Sequence, residues 1–128
     1  MKALIALLPL LIVLGGCATP PSPAEIADLD FGSPPQQYEA TIKKYFDSAL
    51  LDPYTAHYDF DKPRKYWIKD PPLKGGHIHA GYLVLVGVNA KNQHGAFVGK
   101  HDFGFIIKDE VIIKTMDEIE LENLKKLK

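Results

Sequence analysis

The stretch from Ile78 to Ala90 constrains this chain more than any other. Tyr82, Val84, Val86 and Val88 fall on one side of an extended strand, and Leu83 and Leu85 fall on the other. A strand apolar on both sides must be covered on both sides, so this one is expected to be the spine of a sheet. With 128 residues in all, the chain has material for a single modest core around that spine.

The segments on either side supply the cover. From Gln36 to Leu51, the apolar residues Tyr38, Ile42, Tyr45, Phe46, Ala49 and Leu50 recur at helical spacing, with Glu39, Lys43, Lys44 and Asp47 on the far side. This predicts an amphipathic helix, entered through Pro34-Pro35 and stopped at Asp52-Pro53. Tyr54 to Phe60 reads as a short half-buried strand, since Ala56, Tyr58 and Phe60 alternate with His57 and Asp59. Lys62 to Gly76 contains three prolines and two glycines, and is expected to be a long excursion without regular structure.

Beyond the spine, Asn89 to Gly95 is turn chemistry. A second long strand is expected to follow it, carrying Phe97, Phe103, Phe105 and Ile107 on one face, with a bend or bulge at Gly99 or Gly104. Lys108-Asp109-Glu110 turns into a strand from Val111 to Thr115, and turns this short join antiparallel neighbours. In the tail, Met116 to Lys128, acids come early and lysines late, with Leu121, Leu124 and Leu127 every three residues; a short C-terminal helix fits the macrodipole. The fold class expected is α+β: a helix near the amino terminus packed on a three- to four-stranded antiparallel meander.

Residues 1–16 read as a cleaved signal peptide. Met1-Lys2 is the positive start, and Ala3 to Leu14 is an apolar run too short for a bilayer span. The run ends in Leu14-Gly15-Gly16-Cys17, which resembles the lipobox of bacterial lipoproteins: a branched aliphatic residue, two small residues, then cysteine. The resemblance implies a thioether-linked lipid on Cys17, cleavage before it, and acylation of the new amino group with a chain such as palmitate. Each buried methylene is worth about 0.8 kcal/mol, so several chains together make a lasting anchor. Ala18 in place of an aspartate implies passage to the outer membrane. Residues 17–35 carry five of the ten prolines and read as a lipidated cysteine and tether, able to reach roughly 50 Å if extended. Residues 36–128 form the single domain.

Loss of the leader leaves fourteen basic residues facing sixteen acidic ones. That balance gives no reason to expect a nucleic-acid partner. Cys17 is the only cysteine, so no intramolecular disulfide supports the fold, and no cofactor is implied.

Candidate sites are sparse. His77 and His79 stand on one side of the incoming strand and are weak candidates for metal ligands, needing a third from His57, His94 or His101. Ser22, Ser33 and Ser48 have no histidine near them in sequence, so no catalytic residues are assigned and the chain reads as a non-enzyme. Asp59, Asp61 and Asp102 read as ordinary strand and turn residues. The excursion gathers Arg64 and lysines around Tyr66 and Trp67, a patch suited to anionic headgroups, a glycan or an envelope protein; the other reading folds the two rings back as a lid on the sheet. Lys91, Asn92 and His94 are candidates for a ligand-facing tip, although Asn89 and Asn92 are equally explained as turn residues.

The block Asn89-Ala90-Lys91-Asn92-Gln93-His94-Gly95-Ala96-Phe97-Val98-Gly99, together with the helix ending Ser48-Ala49-Leu50-Leu51-Asp52-Pro53, resembles a pattern in small uncharacterised envelope proteins of Gram-negative bacteria. There an asparagine-rich turn leads into Gly-Gly-Tyr-x-Gly, and here Ala96 and Phe97 replace the second glycine and the tyrosine. The resemblance implies a compartment and no activity. The expected role is a lipid-anchored periplasmic binding or structural module. The alternatives are a metal-binding protein using His77 and His79, or a subunit of a secretion or envelope assembly that accepts a partner strand at its sheet edge.

Overall fold

The computed structural model describes residues 20–126. The leader, Cys17 and Ala18 lie outside the described residues, as does Leu127 of the tail. The fold is α+β, with five antiparallel strands in one sheet and a C-terminal helix. The elements are α1 (Pro23–Ala27), α2 (Tyr38–Ala49), β1 (His57–Phe60), β2 (Arg64–Lys69), β3 (Ile78–Asn89), β4 (His101–Lys108), β5 (Val111–Met116) and α3 (Glu118–Lys126). No helix among the described residues is long and apolar enough to cross a membrane.

β3 is the spine. β1 and β2 both pair with it along one side, and β4 pairs along the other with β5 outermost. The sheet is therefore four strands wide but built from five, because the segment 62–76 contains β2. Its breakers bracket a strand rather than prevent one: Pro63 precedes Arg64–Lys69, and Pro71-Pro72 follow it. The six residues between them include Tyr66, Trp67 and Ile68, which suit a pleated surface. Three other boundaries also shift. Pro53–Thr55 forms a 3₁₀ turn ahead of β1, and β4 starts at His101 rather than Phe97, with Phe97 making only an isolated bridge to Lys91. The tail helix starts at Glu118.

Each face of β3 has its own core. Val84, Val86 and Val88 join Phe105 and Ile107 beneath Ile42 and Phe46 of α2, and all seven are buried. The Phe46 ring meets Phe103 and Phe105 edge-on, with centroids 5.2 and 5.7 Å away. Burying such a ring contributes about 2–3 kcal/mol. On the opposite face Leu83, Ile106 and Met116 pack against Leu121 of α3. Gly104 makes that second contact possible: a Cβ there would stand 3.0 Å from Leu121 and 3.1 Å from Met116. The glycine serves close approach of α3, and the β-bulge lies instead on the β4–β5 ladder at Ile106/Ile107.

The proline-rich stretch is docked over much of its length. Ser22 and Glu25 close a capping box on α1, and Asp30 pairs with Lys108 at 2.9 Å. Asp109 and Glu110 form the β4–β5 turn with φ of 49° and 65°, the left-handed pair of a tight hairpin usually given to asparagine and glycine. Both carboxylates point back along the chain. Asp109 accepts from Ser33 N–H at 3.0 Å, while Glu110 accepts from the N–H groups of Gln36 and Gln37 at 2.6 and 3.2 Å. Gln37 is the N-cap of α2 and its own side chain caps nothing, so a residue seventy-odd positions away satisfies the helix start. In chemical denaturation of the mature chain, Glu110→Ala is expected to cost about 1 kcal/mol, and Glu110→Gln, which keeps an acceptor oxygen, to cost less. An unchanged midpoint for Glu110→Ala would show that the clamp contributes nothing.

Candidate functional site

The second face of β3 is only partly covered, and the uncovered part is a cleft. β1 and β2 act as one edge strand interrupted at Asp61-Lys62-Pro63: Phe60 pairs with Val86 and Arg64 with Leu83. Three edge residues therefore oppose two on β3, and the chain bulges outward where Pro63 has no N–H to donate. Asp61 N–H still reaches Leu85 O at 2.9 Å. The register keeps Asp59, opposite Gly87, on the same face as Arg64 and Leu83.

Between this interrupted edge and α3 lies a cleft of about 260 Å³. Its floor is apolar, made by Leu83 and Leu85 of β3 with Leu121 and Leu124 of α3. Its rim is charged with both signs, acidic at Asp59, Asp61 and Asp102 and basic at Arg64, Lys100 and Lys125. Lys100 donates to Asp59 at 2.8 Å. That bond, supported by Asp102 and Asp61, holds the Lys100 ammonium above its usual range. The pair is exposed and adds little to stability, so its effect is to fix the charge pattern at the cleft mouth. The volume falls below the roughly 300–1,000 Å³ of sites for drug-sized ligands. The chemistry suits an amphiphilic group: an apolar moiety on the leucines with polar ends at the rim.

A second polar cluster sits at the other end of β3. His79 Nε2 donates to Asp70 Oδ2 at 2.7 Å, and Lys114 Nζ donates to Asp70 Oδ1 at 3.1 Å. All three side chains are largely buried. His79 first, and Lys114 after it, hold the Asp70 carboxyl below the ordinary carboxylate range. Each carboxylate oxygen has a donor, so the cluster locks the β2–β3 turn to β5.

The residues singled out from sequence are distributed rather than gathered. Tyr66 and Trp67, successive along β2, point to opposite faces: Tyr66 lines the cleft with Arg64, while Trp67 stands opposite Ala80 on the other side. Both residues are half-buried, and both also border a second groove along the β2 edge. Lys91, Asn92 and His94 lie beyond the far end of β3, about 25 Å from Arg64 at 3.3 Å per residue. Asn92 Oδ1 accepts from His94 N–H and Ala96 N–H, Lys91 lies over the Phe97 ring, and His94 is exposed beside Gln93. The asparagine thus builds the turn.

Among the described residues no group of three or more His, Cys, Asp or Glu could hold a metal ion. His77 is exposed next to Gly75, His79 is engaged by Asp70, and His101 bonds Glu118 at 3.3 Å. The serines act locally: Ser22 caps α1, and Ser48 donates to Tyr45 O. Sequence reasoning missed Lys100, Leu124, Lys125 and Lys114, and it passed over Asp59, Asp61 and Asp102 as unremarkable. Comparison of the chain with protein-family models, with curated proteins and with solved structures finds no match.

The Asp70 cluster makes a definite statement about acid stability. A carboxyl depressed in the folded state stabilises above its unfolded pKa, near 3.8, and that contribution fades as pH falls through the lower folded value. Asp70→Asn is expected to destabilise at neutral pH and to flatten the loss of stability below about pH 4. Urea midpoints measured from pH 7 down to pH 2.5 would check this, and parallel pH curves for the two proteins would refute it.

Proposed function

We propose that the mature protein is a lipid-anchored module of the bacterial cell envelope, attached through Cys17 to the periplasmic side of the outer membrane. On this reading it binds through the cleft between α3 and the interrupted edge strand and carries out no reaction. Placement rests on one sequence observation: Leu14-Gly15-Gly16-Cys17 closes an apolar run directly after a positive start, and Ala18 follows. The resemblance of Asn89–Gly99 to envelope proteins supports the same compartment.

Binding is supported by the cleft, where Leu85 and Leu124 stay half-buried beneath a rim of both signs and offer a place for an amphiphilic segment of an envelope protein or glycan. Metal binding by His77 and His79 is the weaker reading, because Asp70 already occupies His79 Nε2. Strand addition at a free sheet edge, as in a subunit of a larger assembly, has no comparable supporting feature.

Mass spectrometry of the protein from bacterial membranes tests the placement. The expected product begins at Cys17 and carries the mass of a diacylglyceryl group and an amide-linked acyl chain. Cys17→Ser should abolish incorporation of labelled palmitate and release the protein from the membrane fraction. A mature protein without acyl chains, or one still membrane-bound after Cys17→Ser, would overturn it. For the cleft, Leu85→Trp should fill the floor and remove cross-linking in cells to an envelope component; an unchanged cross-linked product would exclude the cleft as the contact.

A further inference from the structure

The described chain begins at the free edge of β2. Pro20 and Pro21 line one groove with Trp67, Asp70, Pro71 and Pro72. Only three residue steps separate Pro20 from Cys17, and a fully extended chain covers at most about 10 Å in that distance. A lipid on Cys17 therefore holds this edge, rather than the far end of the domain, next to the bilayer.

The surface found there suits that position. The turn after β2 carries Leu73 fully exposed at its tip and Lys74 beside it, and it ends in Gly75 and Gly76 at positive φ. Lys62, Lys65 and Lys69 belong to the same edge segment. Of the acids nearby, Asp70 is paired with Lys114 and His79, while Glu25, close to Lys69, and Asp61, next to Lys62, offset part of the positive charge. An exposed leucine with Lys74 beside it, on an edge that also carries Lys69, Lys65 and Lys62, is complementary to an anionic lipid surface, where cations sit among the phosphates and a leucine enters the interface.

We infer that the free edge of β2 and the turn Pro71–Gly76 rest on the phospholipid surface, with Leu73 inserted at headgroup depth and Lys74 among lipid phosphates. This rests, for the nearness of the bilayer, on the reading of Cys17 as lipidated. It turns the domain into one that lies against the membrane rather than one held away from it on a long tether.

Trp67 is the only tryptophan and lies on this edge, so its fluorescence reports the contact without a label. The lipidated protein is placed in phosphatidylglycerol-rich vesicles that also contain brominated phosphatidylcholine. Trp67 emission is expected to be quenched relative to unbrominated vesicles, and Leu73→Asp/Lys74→Glu is expected to relieve the quenching while the protein stays anchored. A vesicle-bound protein with unquenched Trp67 would overturn the inference, and a doubled solution mass alongside it would assign the edge to a second copy.

Should the protein prove unacylated, the unlipidated mature chain with Cys17→Ser decides separately. Salt-sensitive binding to phosphatidylglycerol vesicles over phosphatidylcholine vesicles, weakened about tenfold by the double substitution, would sustain the surface. Equal or absent binding to both would overturn it.

Discussion

The structure is organised by the need to keep water from both sides of β3. Val84, Val86 and Val88 are covered by a twelve-residue helix carrying Ile42 and Phe46, and that face closes completely. Leu83 on the other face is covered by Met116 of β5 and by Leu121 of the nine-residue α3. Unequal cover is the origin of the cleft. Leu85 remains half-buried beside Leu121 and Leu124 of α3, and the break in the edge strand puts Asp61 and Arg64 around the opening. Had the edge run unbroken from His57 to Lys69, register would have carried one set of these charges to the opposite face.

Two local devices let this arrangement form. Gly104 removes the side chain that would hold α3 away from the sheet, so a short helix gains a buried contact through Leu121. The Asp109-Glu110 turn adopts left-handed backbone at two residues without the help of glycine, at a cost of about 1–2 kcal/mol each. The hydrogen bonds that both carboxylates accept from residues 33, 36 and 37 offset that cost.

What was legible in the sequence follows the range of the signals. β3 was plain because its pattern is dense and local, and the β4–β5 turn and the C-terminal helix were marked by short-range chemistry. β2 was hidden because prolines and glycines, counted across fifteen residues, obscured an unbroken six-residue strand at the centre. As successive residues of that strand, Tyr66 and Trp67 point to opposite faces. The cleft was not legible at all. It is assembled from residues 59–66, 83–87, 100–102 and 121–125, and no spacing relates these four segments. The Asp70 cluster likewise joins positions up to 44 apart.

The clamp at Glu110 has a mechanical consequence. Tension applied to the amino-terminal end of the chain passes through α1 and the Asp30–Lys108 pair before it reaches Gln36, Gln37 and the start of α2. Those bonds load in sequence and at the surface, whereas Ile42 and Phe46 lie behind them in the core. The entry segment would peel away first, lengthening the connection by more than a dozen residues while the sheet keeps its hydrogen bonds. The domain thus carries an extensible lead in reserve, laid against β2 at Pro20, Pro21 and Phe31 and against the β4–β5 hairpin at Asp30 and Ser33 until force draws it out.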